Sequence, residues 1–304
     1  MCLVMAASAP TRTLQLALGS LAVGVLVMAL KLIAAWWTGS IALYSDALES
    51  VVNVATAGVA LVAVRLAARP ADATLPYGYY KAEYFSAVII GVVIAVAALL
   101  IFREAWIGFT TPHDLSANAW AIMISVLATV INAGWAYLLI QTGRRERSLA
   151  LVADGRHLFT DVLSTLGVLL GIGLVFVTGY RQLDALLAAA VGVTILWSGW
   201  LLIRQSVIGL MDVAVDPKHL QQIRDIISAS AEGAIEAHDI RTRQAGRVTF
   251  IDFHLVVPGS MSVEAAHDIC DRIEAKLRDA VEDAQITIHV EPENKAKHSG
   301  IVVV

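Results

Sequence analysis

Six apolar runs occupy the first two thirds of this chain of 304 residues. An α-helix needs about 20 apolar residues to cross the hydrocarbon core of a bilayer. Charged residues make up 16% of the chain, against roughly 25% in soluble domains. The sequence therefore predicts an all-α membrane domain of six helices over residues 14–205, after a short N-terminal segment 1–13. The predicted spans are residues 14–36, 41–64, 84–106, 117–140, 149–178 and 184–205.

The basic residues of the short loops predict the orientation of these spans. Cytoplasmic loops carry an excess of Lys and Arg, and an even number of spans puts both chain ends on one side. Only Arg103 and Arg181 lie near the loops of the opposite side. Both termini are therefore expected in the cytoplasm. The basic residues on the side of the termini are Arg12, Arg65, Arg69, Lys81, Arg144, Arg145, Arg147 and Arg204.

The composition changes after Arg204, because the rest of the chain has no span-length apolar run and holds six of the eight histidines. The order of predicted elements, α-β-β-α-β, is typical of a small α+β layer fold. We expect a cytosolic domain over 206–292 and a flexible tail over 293–304. Its elements are a helix at 217–230, strands at 235–243 and 248–257, a helix at 262–277 with Ser262 as N-cap, and a strand at 284–290.

Several functional classes receive little support. The net charge of −4 does not indicate nucleic-acid binding, and Cys2 and Cys270 are too far apart for a disulfide framework or a Cys-based zinc site. An intramembrane metalloenzyme is disfavoured, since the sequence has no His-Glu-x-x-His string.

Polar side chains at helical spacing interrupt the second and fifth spans. Glu49 and Asn53 lie four residues apart in one, and His157 and Asp161 lie four apart in the other. Ionisable groups inside a bilayer are costly and usually mark an ion or substrate path. Three oxygens and one imidazole nitrogen suit a divalent transition metal. The sequence predicts one cation site between the two helices. Because the ligands bind metal only when deprotonated, this site can exchange metal for protons.

Two alternatives stay open for these residues. A polar side chain in a span often serves only as a hydrogen-bond partner between helices, and Asn53 suits that role equally well. Asp46 and Asp154 lie three residues before Glu49 and His157. They are predicted to support the site, either by relaying ions or protons, or by capping and pairing with Arg156.

Motifs spread over nearly the whole chain resemble those of the cation diffusion facilitators, particularly the bacterial zinc and iron efflux branch. The resemblance implies a Y-shaped homodimer in the bacterial inner membrane that exports divalent metal against protons. It also implies a ferredoxin-like cytosolic domain that binds metal and tightens the dimer. The motifs are Ala-Trp-Trp-Thr-Gly-Ser at 35–40, the string at 46–53, Arg69-Pro-Ala-Asp72, Tyr77-Gly78, Lys81-Ala-Glu83, His157-x-x-x-Asp161, Ala237-His-Asp239 and Arg241-Thr-Arg-Gln244.

The resemblance also implies a ligand set and a salt bridge. Lys81 and Asp212 match a pair that links the spans to the cytosolic domain. The ligand positions of the cytosolic site correspond to His238, His254, His267, His289 and Glu291, the last standing where aspartate is common. Taken singly, any of these histidines is equally a surface residue, which is the preferred interpretation of His219 and His298.

The sequence departs from the family pattern in two places. The second-span pair is usually Asp-x-x-x-Asp or His-x-x-x-Asp, whereas Glu49 and Asn53 stand here. The lost charge leaves Fe²⁺, Mn²⁺, Co²⁺ and Ni²⁺ beside Zn²⁺ as substrates, and leaves a non-transporting sensor or regulatory partner as the alternative function. In the loop near Asp72, Leu75 and Tyr79 replace both histidines, so we expect no metal there and a solvated Asp72.

Overall fold

The structure is a computed structural model that describes residues 11–38, 41–111, 119–180, 182–297 and 301–302. The chain divides into two compact units, Met1–Val207 and Ile208–Val304. Six long helices make up the first unit, the last of them ending just beyond it. They are α1 (Thr11–Thr38), α2 (Ile41–Ala67), α3 (Ala82–Thr110), α4 (Ala119–Arg145), α5 (Leu149–Thr178) and α6 (Gln182–Leu210).

The six helices follow the six predicted spans and extend beyond several of them. Within the part of the chain that is described, five helices have stretches long and apolar enough to cross a membrane, namely α1, α2, α3, α4 and α6. Helix α5 is 30 residues long, about 45 Å at 1.5 Å per residue. It carries Asp154, Arg156, His157 and Asp161 in its first half, and its second half is strongly apolar.

Small residues set how closely the helices of the first unit approach. A Cβ on Gly155 of α5 would lie 3.1 Å from the carbonyl oxygen of Ala136 and 3.0 Å from the Cβ of Leu139, both on α4. A Cβ on Gly199 of α6 would lie 3.1 Å from the carbonyl oxygen of Gly91 on α3. Membrane helices associate through such small residues because lipid supplies no hydrophobic force between them.

The start of α5 is held by a side chain from α3. Glu83 Oε2 accepts a hydrogen bond from Ser148 Oγ at 2.6 Å and from the backbone N–H of Ala150 at 3.3 Å. The first N–H groups of a helix have no partner inside it, and a carboxylate is favourable at this positive end. Glu83 therefore fixes where α5 begins, two turns before His157.

The loop between α2 and α3 is organised around Asp72. Its Oδ1 accepts from the backbone N–H groups of Thr74 and Leu75, each at 2.8 Å, and its Oδ2 accepts from Tyr79 Oη at 2.6 Å. The Tyr79 bond, aided by the two N–H groups, lowers the pKa of Asp72, and the same bond raises the pKa of Tyr79. Asp72 is exposed, as expected for a solvated loop residue, and Tyr79 and the loop backbone also bind its carboxylate.

The second unit has the predicted order α-β-β-α-β, with bounds within three residues of those expected. The sheet order is β3-β2-β1-β4, in which β1 pairs antiparallel with β2 and β4, and β2 pairs parallel with β3. A short 3-10 turn, Glu293–Lys295, follows β3. The main elements are α7 (Pro217–Ser230), β1 (Glu236–Ala245), β2 (Val248–Val257), α8 (Val263–Ala280), β3 (Ala284–Pro292) and β4 (Ile301–Val302).

Large aliphatic side chains form the core of this unit. Ile223 and Ile227 of α7 and Ile273 of α8 are fully buried, together with Ile251 and Leu255 of β2. Ser262 Oγ accepts from the N–H of Ala265 at 3.1 Å, as predicted for the N-cap of α8. The two helices and the sheet therefore enclose one apolar core.

The tail predicted to be flexible contains regular structure at its described end. Ile301 and Val302 form β4 and pair with Ala237 and Glu236 of β1. A strand at the edge of a sheet exposes unpaired N–H and C=O groups, and an added strand satisfies them. Ile301 and Val302 fit this role, which composition alone did not indicate.

Candidate metal sites

The membrane cluster joins α2 and α5. Asn53 Nδ2 donates a hydrogen bond to Asp161 Oδ2 at 2.5 Å, so two of the four predicted ligands are in contact across the helix pair. Glu49 and Asp46 belong to α2, but their side chains lie outside the part that the structure describes.

His157 is almost completely buried on the same face of α5 as Asp161. Its exposed fraction is 2%, and neither ring nitrogen has a hydrogen-bond partner among the described residues. The same holds for Oδ1 of Asn53, whose exposed fraction is 4%. Buried polar groups are normally hydrogen-bonded, so these donor atoms lack the partner that a divalent cation would supply.

A small cavity of about 20 Å³ adjoins the cluster, roughly the room that one water or one bare ion needs. Asn53 and Asp161 line it together with Lys31 of α1 and Asn132 of α4. Both added residues are buried, and neither was predicted as part of the site. Each of them is a polar residue within an apolar span, which could have marked it as a candidate. Spacing along one helix, however, does not show which other helix a side chain faces.

Asp154 is fully buried, and its Oδ2 accepts a hydrogen bond from Ser20 Oγ of α1. Its other oxygen has no hydrogen-bond partner among the residues described. Arg156 instead donates from Nη1 to Gln205 Oε1 of α6 at 3.3 Å. The structure therefore gives Asp154 a partner on α1 rather than Arg156, and it directs Arg156 to another helix.

The register of three neighbouring strands brings the histidines of the cytosolic cluster side by side. His238 of β1 is opposite His254 of β2, which is opposite His289 of β3. The ring centroids are 5.3 Å apart between His238 and His254 and 5.0 Å apart between His254 and His289. Residues paired across neighbouring strands project from the same face of a sheet, so the backbone ladder itself lines up these three imidazoles.

Glu291 faces all three histidines of this row. Its Oε2 is 3.3 Å from His238 Nε2, and its Oε1 is 3.3 Å from His254 Nδ1 and 3.7 Å from His289 Nε2. Both ring nitrogens of the buried His238 nevertheless lack a hydrogen bond within the described part of the chain. A row of three imidazoles beside a carboxylate, with the innermost imidazole buried and without hydrogen bonds, is a donor set that fits Zn²⁺ or another divalent transition metal.

Two acidic residues beside this row were not assigned to the site from the sequence, although Asp239 belongs to the motif Ala237-His-Asp239. Glu236 Oε1 is 3.1 Å from His238 Nδ1. Asp239 offers a carboxylate oxygen within 4.8 Å of donor atoms of His238 and His254, although neighbours along a strand normally point to opposite faces. The strand register shifts between His238 and Arg241, and Asp239 has a φ of 52°. This bulge places Asp239 with the histidines, and no spacing rule reveals it.

The remaining predicted residues lie elsewhere. His267 is on α8, exposed, with Nε2 3.7 Å from Asp271 Oδ1, and no contact among the described residues joins it to the strand histidines. His219 pairs with Asp216, the N-cap of α7, and lowers its pKa. His298 lies outside the described residues. Asp212 pairs with Arg243 at 3.3 Å, and its predicted pairing with Lys81 stays a prediction.

Comparison with known proteins places both units in one family. The family model for the cation efflux transmembrane domain matches residues 17–211, and that for the cytoplasmic domain of cation efflux proteins matches residues 215–293. The chain belongs to the cation diffusion facilitator family. This confirms the predicted family, the fold class of a helical membrane domain with an α+β domain, and a transporter rather than an enzyme.

Full-length relatives include the uncharacterized transporter sll1263 of Synechocystis, 42% identical over 273 residues, which covers 90% of this chain and 88% of the relative. The cation-efflux pump FieF of Escherichia coli is 29% identical over 276 residues, which covers 91% of each chain.

Two solved structures match a smaller part of the chain. The metal-bound C-terminal domain of the CzcD transporter from Thermotoga maritima is 29% identical and covers 27% of this chain and 100% of its own, with a TM-score of 0.24. CzrB in its zinc form is 44% identical and covers 28% of this chain and 98% of its own, with a TM-score of 0.27.

Proposed function

We propose that this cation diffusion facilitator exports a divalent transition metal from the cytoplasm in exchange for protons. The observation that carries the proposal is the cluster of buried Asn53 and His157 with partly buried Asp161 between α2 and α5. Asn53 Oδ1 and both ring nitrogens of His157 have no hydrogen bond within the described part of the chain. Glu49, one turn before Asn53, is the proposed fourth ligand. Zn²⁺ and Fe²⁺ are the first candidates for the substrate, and Mn²⁺, Co²⁺ and Ni²⁺ follow.

Exchange with protons follows from the chemistry of the donors. Carboxylate and imidazole bind metal only when deprotonated, so metal entry releases protons and protonation releases metal. In alternating access the helices rock around a site near the midplane and open it to one side at a time. Asp154, buried two turns before Asp161 and bonded to Ser20, is proposed to support the site from one side.

The cytosolic cluster is proposed to regulate this transport within a homodimer. Metal held by His238, His254, His289 and Glu291 would favour whichever conformation binds it better. His267 and the Lys81–Asp212 pair belong to this part of the proposal. We assign residues 1–13 to an N-terminal segment, 14–205 to transport, 206–292 to metal binding and dimerisation, and 293–304 to the tail. The proposed location is the bacterial inner membrane, with both termini in the cytoplasm.

Transport in reconstituted vesicles tests the proposal. With a pH gradient as the driving force, Zn²⁺ should cross the membrane while protons move the opposite way, followed by metal-sensitive and pH-sensitive dyes. Asp161→Ala should abolish both movements and leave the dimer intact. Asp279→Ala removes the same charge from an exposed position on α8 and should transport normally. Metal flux that persists in Asp161→Ala would contradict the membrane-site assignment.

The alternative function is a metal sensor or regulatory partner that does not transport. Asn53 favours it, since an amide stands where the family pair carries a carboxylate or imidazole. This alternative predicts no flux for any of the five metals, while metal still binds the cytosolic cluster and changes the conformation of the protein.

A further inference from the structure

The chain supplies its own cation to the edge of the cytosolic cluster. Lys297 Nζ donates to Asp239 Oδ2 at 2.5 Å, and its backbone N–H donates to Glu236 Oε1 at 3.3 Å. Both acceptors flank His238. Lys297 is therefore held by backbone and side chain at the point where β1 carries the first histidine of the row.

Asp239 is built into the cluster rather than placed there by a flexible side chain. Its φ of 52° lies in the left-handed region, which Asp tolerates better than most residues but which still carries a conformational cost. The bulge that this conformation creates brings its carboxylate within 4.8 Å of donor atoms of His238 and His254. His238, with an exposed fraction of 4% and no hydrogen bond among the described residues, provides the independent sign of a ligand at this place.

The negative charges around His238 favour a bound cation. Three carboxylates, those of Glu236, Asp239 and Glu291, surround His238. The Lys297 ammonium offsets one of these charges with a single positive charge at the exposed side. A divalent ion between Asp239 and the two imidazoles would carry twice that charge and would also bind the ring nitrogens, which an ammonium group cannot do because it only donates.

We propose that Asp239 is an additional ligand of the cytosolic metal site and that Lys297 is a tethered cation that competes with the metal for it. The inference rests on the proposed binding of metal at this cluster and adds to it a residue that sets affinity. Metal binding moves Lys297 off Asp239, and removal of metal returns it.

Zinc affinity of the full-length protein in detergent tests the competition. Zinc is titrated into the protein in competition with a chromophoric chelator. The binding step that disappears in His238→Ala is assigned to the cytosolic cluster. Lys297→Ala should tighten this step about 2- to 5-fold, the range expected for a partly exposed ion pair. Lys295→Ala removes the same charge two residues earlier and should leave the affinity unchanged.

The ligand role of Asp239 is tested in the same titration. Asp239→Asn keeps a residue that tolerates positive φ and should weaken the step about tenfold or more, because loss even of a residue that only orients a ligand costs about 10- to 100-fold in metal affinity. In the Asp239→Asn background, Lys297→Ala should have no further effect, because the two residues act on each other. The rate at which an amine-reactive reagent modifies Lys297, but not Lys295, should rise when zinc is added.

The possible failures are distinguishable. A cytosolic step that persists in Asp239→Asn at unchanged affinity, or a Lys297 variant that behaves like the Lys295 control, would overturn this inference and leave the proposed cluster intact. Absence of any step that depends on His238 would overturn the cytosolic part of the proposed function and this inference with it.

Discussion

The two clusters gather similar donor atoms by different physical means. In the cytosolic unit, backbone hydrogen bonds between three adjacent strands place His238, His254 and His289 in one row. In the membrane unit, the donors come from α2 and α5, which no backbone hydrogen bonds join among the described residues, and a side-chain bond runs from Asn53 to Asp161. Backbone hydrogen bonds between strands fix the distances between the ligands on those strands, whereas packed helices can move relative to each other. The membrane arrangement therefore suits a site that opens and closes, and the cytosolic one suits a site that senses.

Burial distinguishes His157 from His289, the outermost histidine of the cytosolic row, although His238 of that row is also buried. His157 is 2% exposed, whereas the side chain of His289 is 66% exposed. Bulk water reaches the cytosolic edge and can replace a lost ligand there, whereas the cavity beside the membrane cluster, about 20 Å³, has room for only about one water or ion. Equal substitutions should therefore have unequal effects.

The largest expected difference concerns loss of one imidazole from each cluster. His157→Ala should reduce zinc flux at least 100-fold, because loss even of a residue that only orients a ligand typically costs 10- to 100-fold in metal affinity or activity. His289→Ala should reduce it no more than a few-fold. Initial rates in vesicles at matched protein density measure both, and equal losses would mean that the cytosolic cluster is part of the transport path.

The second difference concerns how closely α4 and α5 pack within the membrane unit. Gly155→Ala should destabilise the membrane unit by about 1–3 kcal/mol, since the new Cβ meets α4 at 2.8–3.1 Å and overpacking costs that much. Gly134→Ala is the matched control on α4, because no described atom lies within 4 Å of its added Cβ. It should be neutral or stabilising, as Ala favours helices over Gly by about 1 kcal/mol. Unfolding in detergent mixtures measures both, and equal stabilities would show that α4 and α5 separate easily.

The third difference concerns charge within the membrane cluster. Asn53→Asp should tighten zinc binding there about tenfold, because a carboxylate in place of a neutral amide adds Coulomb attraction to the cation, and tenfold corresponds to about 1.4 kcal/mol. Without metal, the same change puts a second carboxylate against Asp161 in place of a hydrogen bond, so the apparent melting temperature should fall until zinc is added. Zinc affinity that does not change would show that Asn53 is only a helix-packing residue.

The smallest effect concerns the loop that holds Asp72. The Tyr79 bond depresses the pKa of Asp72 in the folded protein. A depressed carboxylate pKa contributes stability at pH values above the unfolded pKa and loses it as pH falls through the folded value. Tyr79→Phe should return the pKa of Asp72 toward its ordinary value of 3.8, so the loop loosens at a higher pH during acidification.

Carboxyl carbon NMR measures that pKa directly. Asp216 in the cytosolic unit is the internal control, because its pKa is depressed by His219 and should not respond to Tyr79→Phe. An unchanged Asp72 titration would mean that the two backbone N–H groups hold the carboxylate without Tyr79.

The lengths of the apolar runs and the periodicity of apolar residues were by themselves enough to predict the membrane helices and the main strands. Runs of about 20 apolar residues leave a chain few alternatives to membrane helices, and alternation around Phe253 indicated β2. Helical spacing was also enough to nominate His157 and Asp161 as one face of α5, because residues three or four apart on a helix are neighbours.

Only the tertiary structure decided which residues complete the sites. Lys31 and Asn132 join Asp161 because α1 and α4 pack beside α5, and Asp239 joins His238 because a bulge reverses the direction of one residue on β1. The pairing of β4 with β1 depends on an edge that exists only once the sheet has formed. Such contacts link positions far apart in the chain, and their geometry depends on packing and register, which local sequence does not encode.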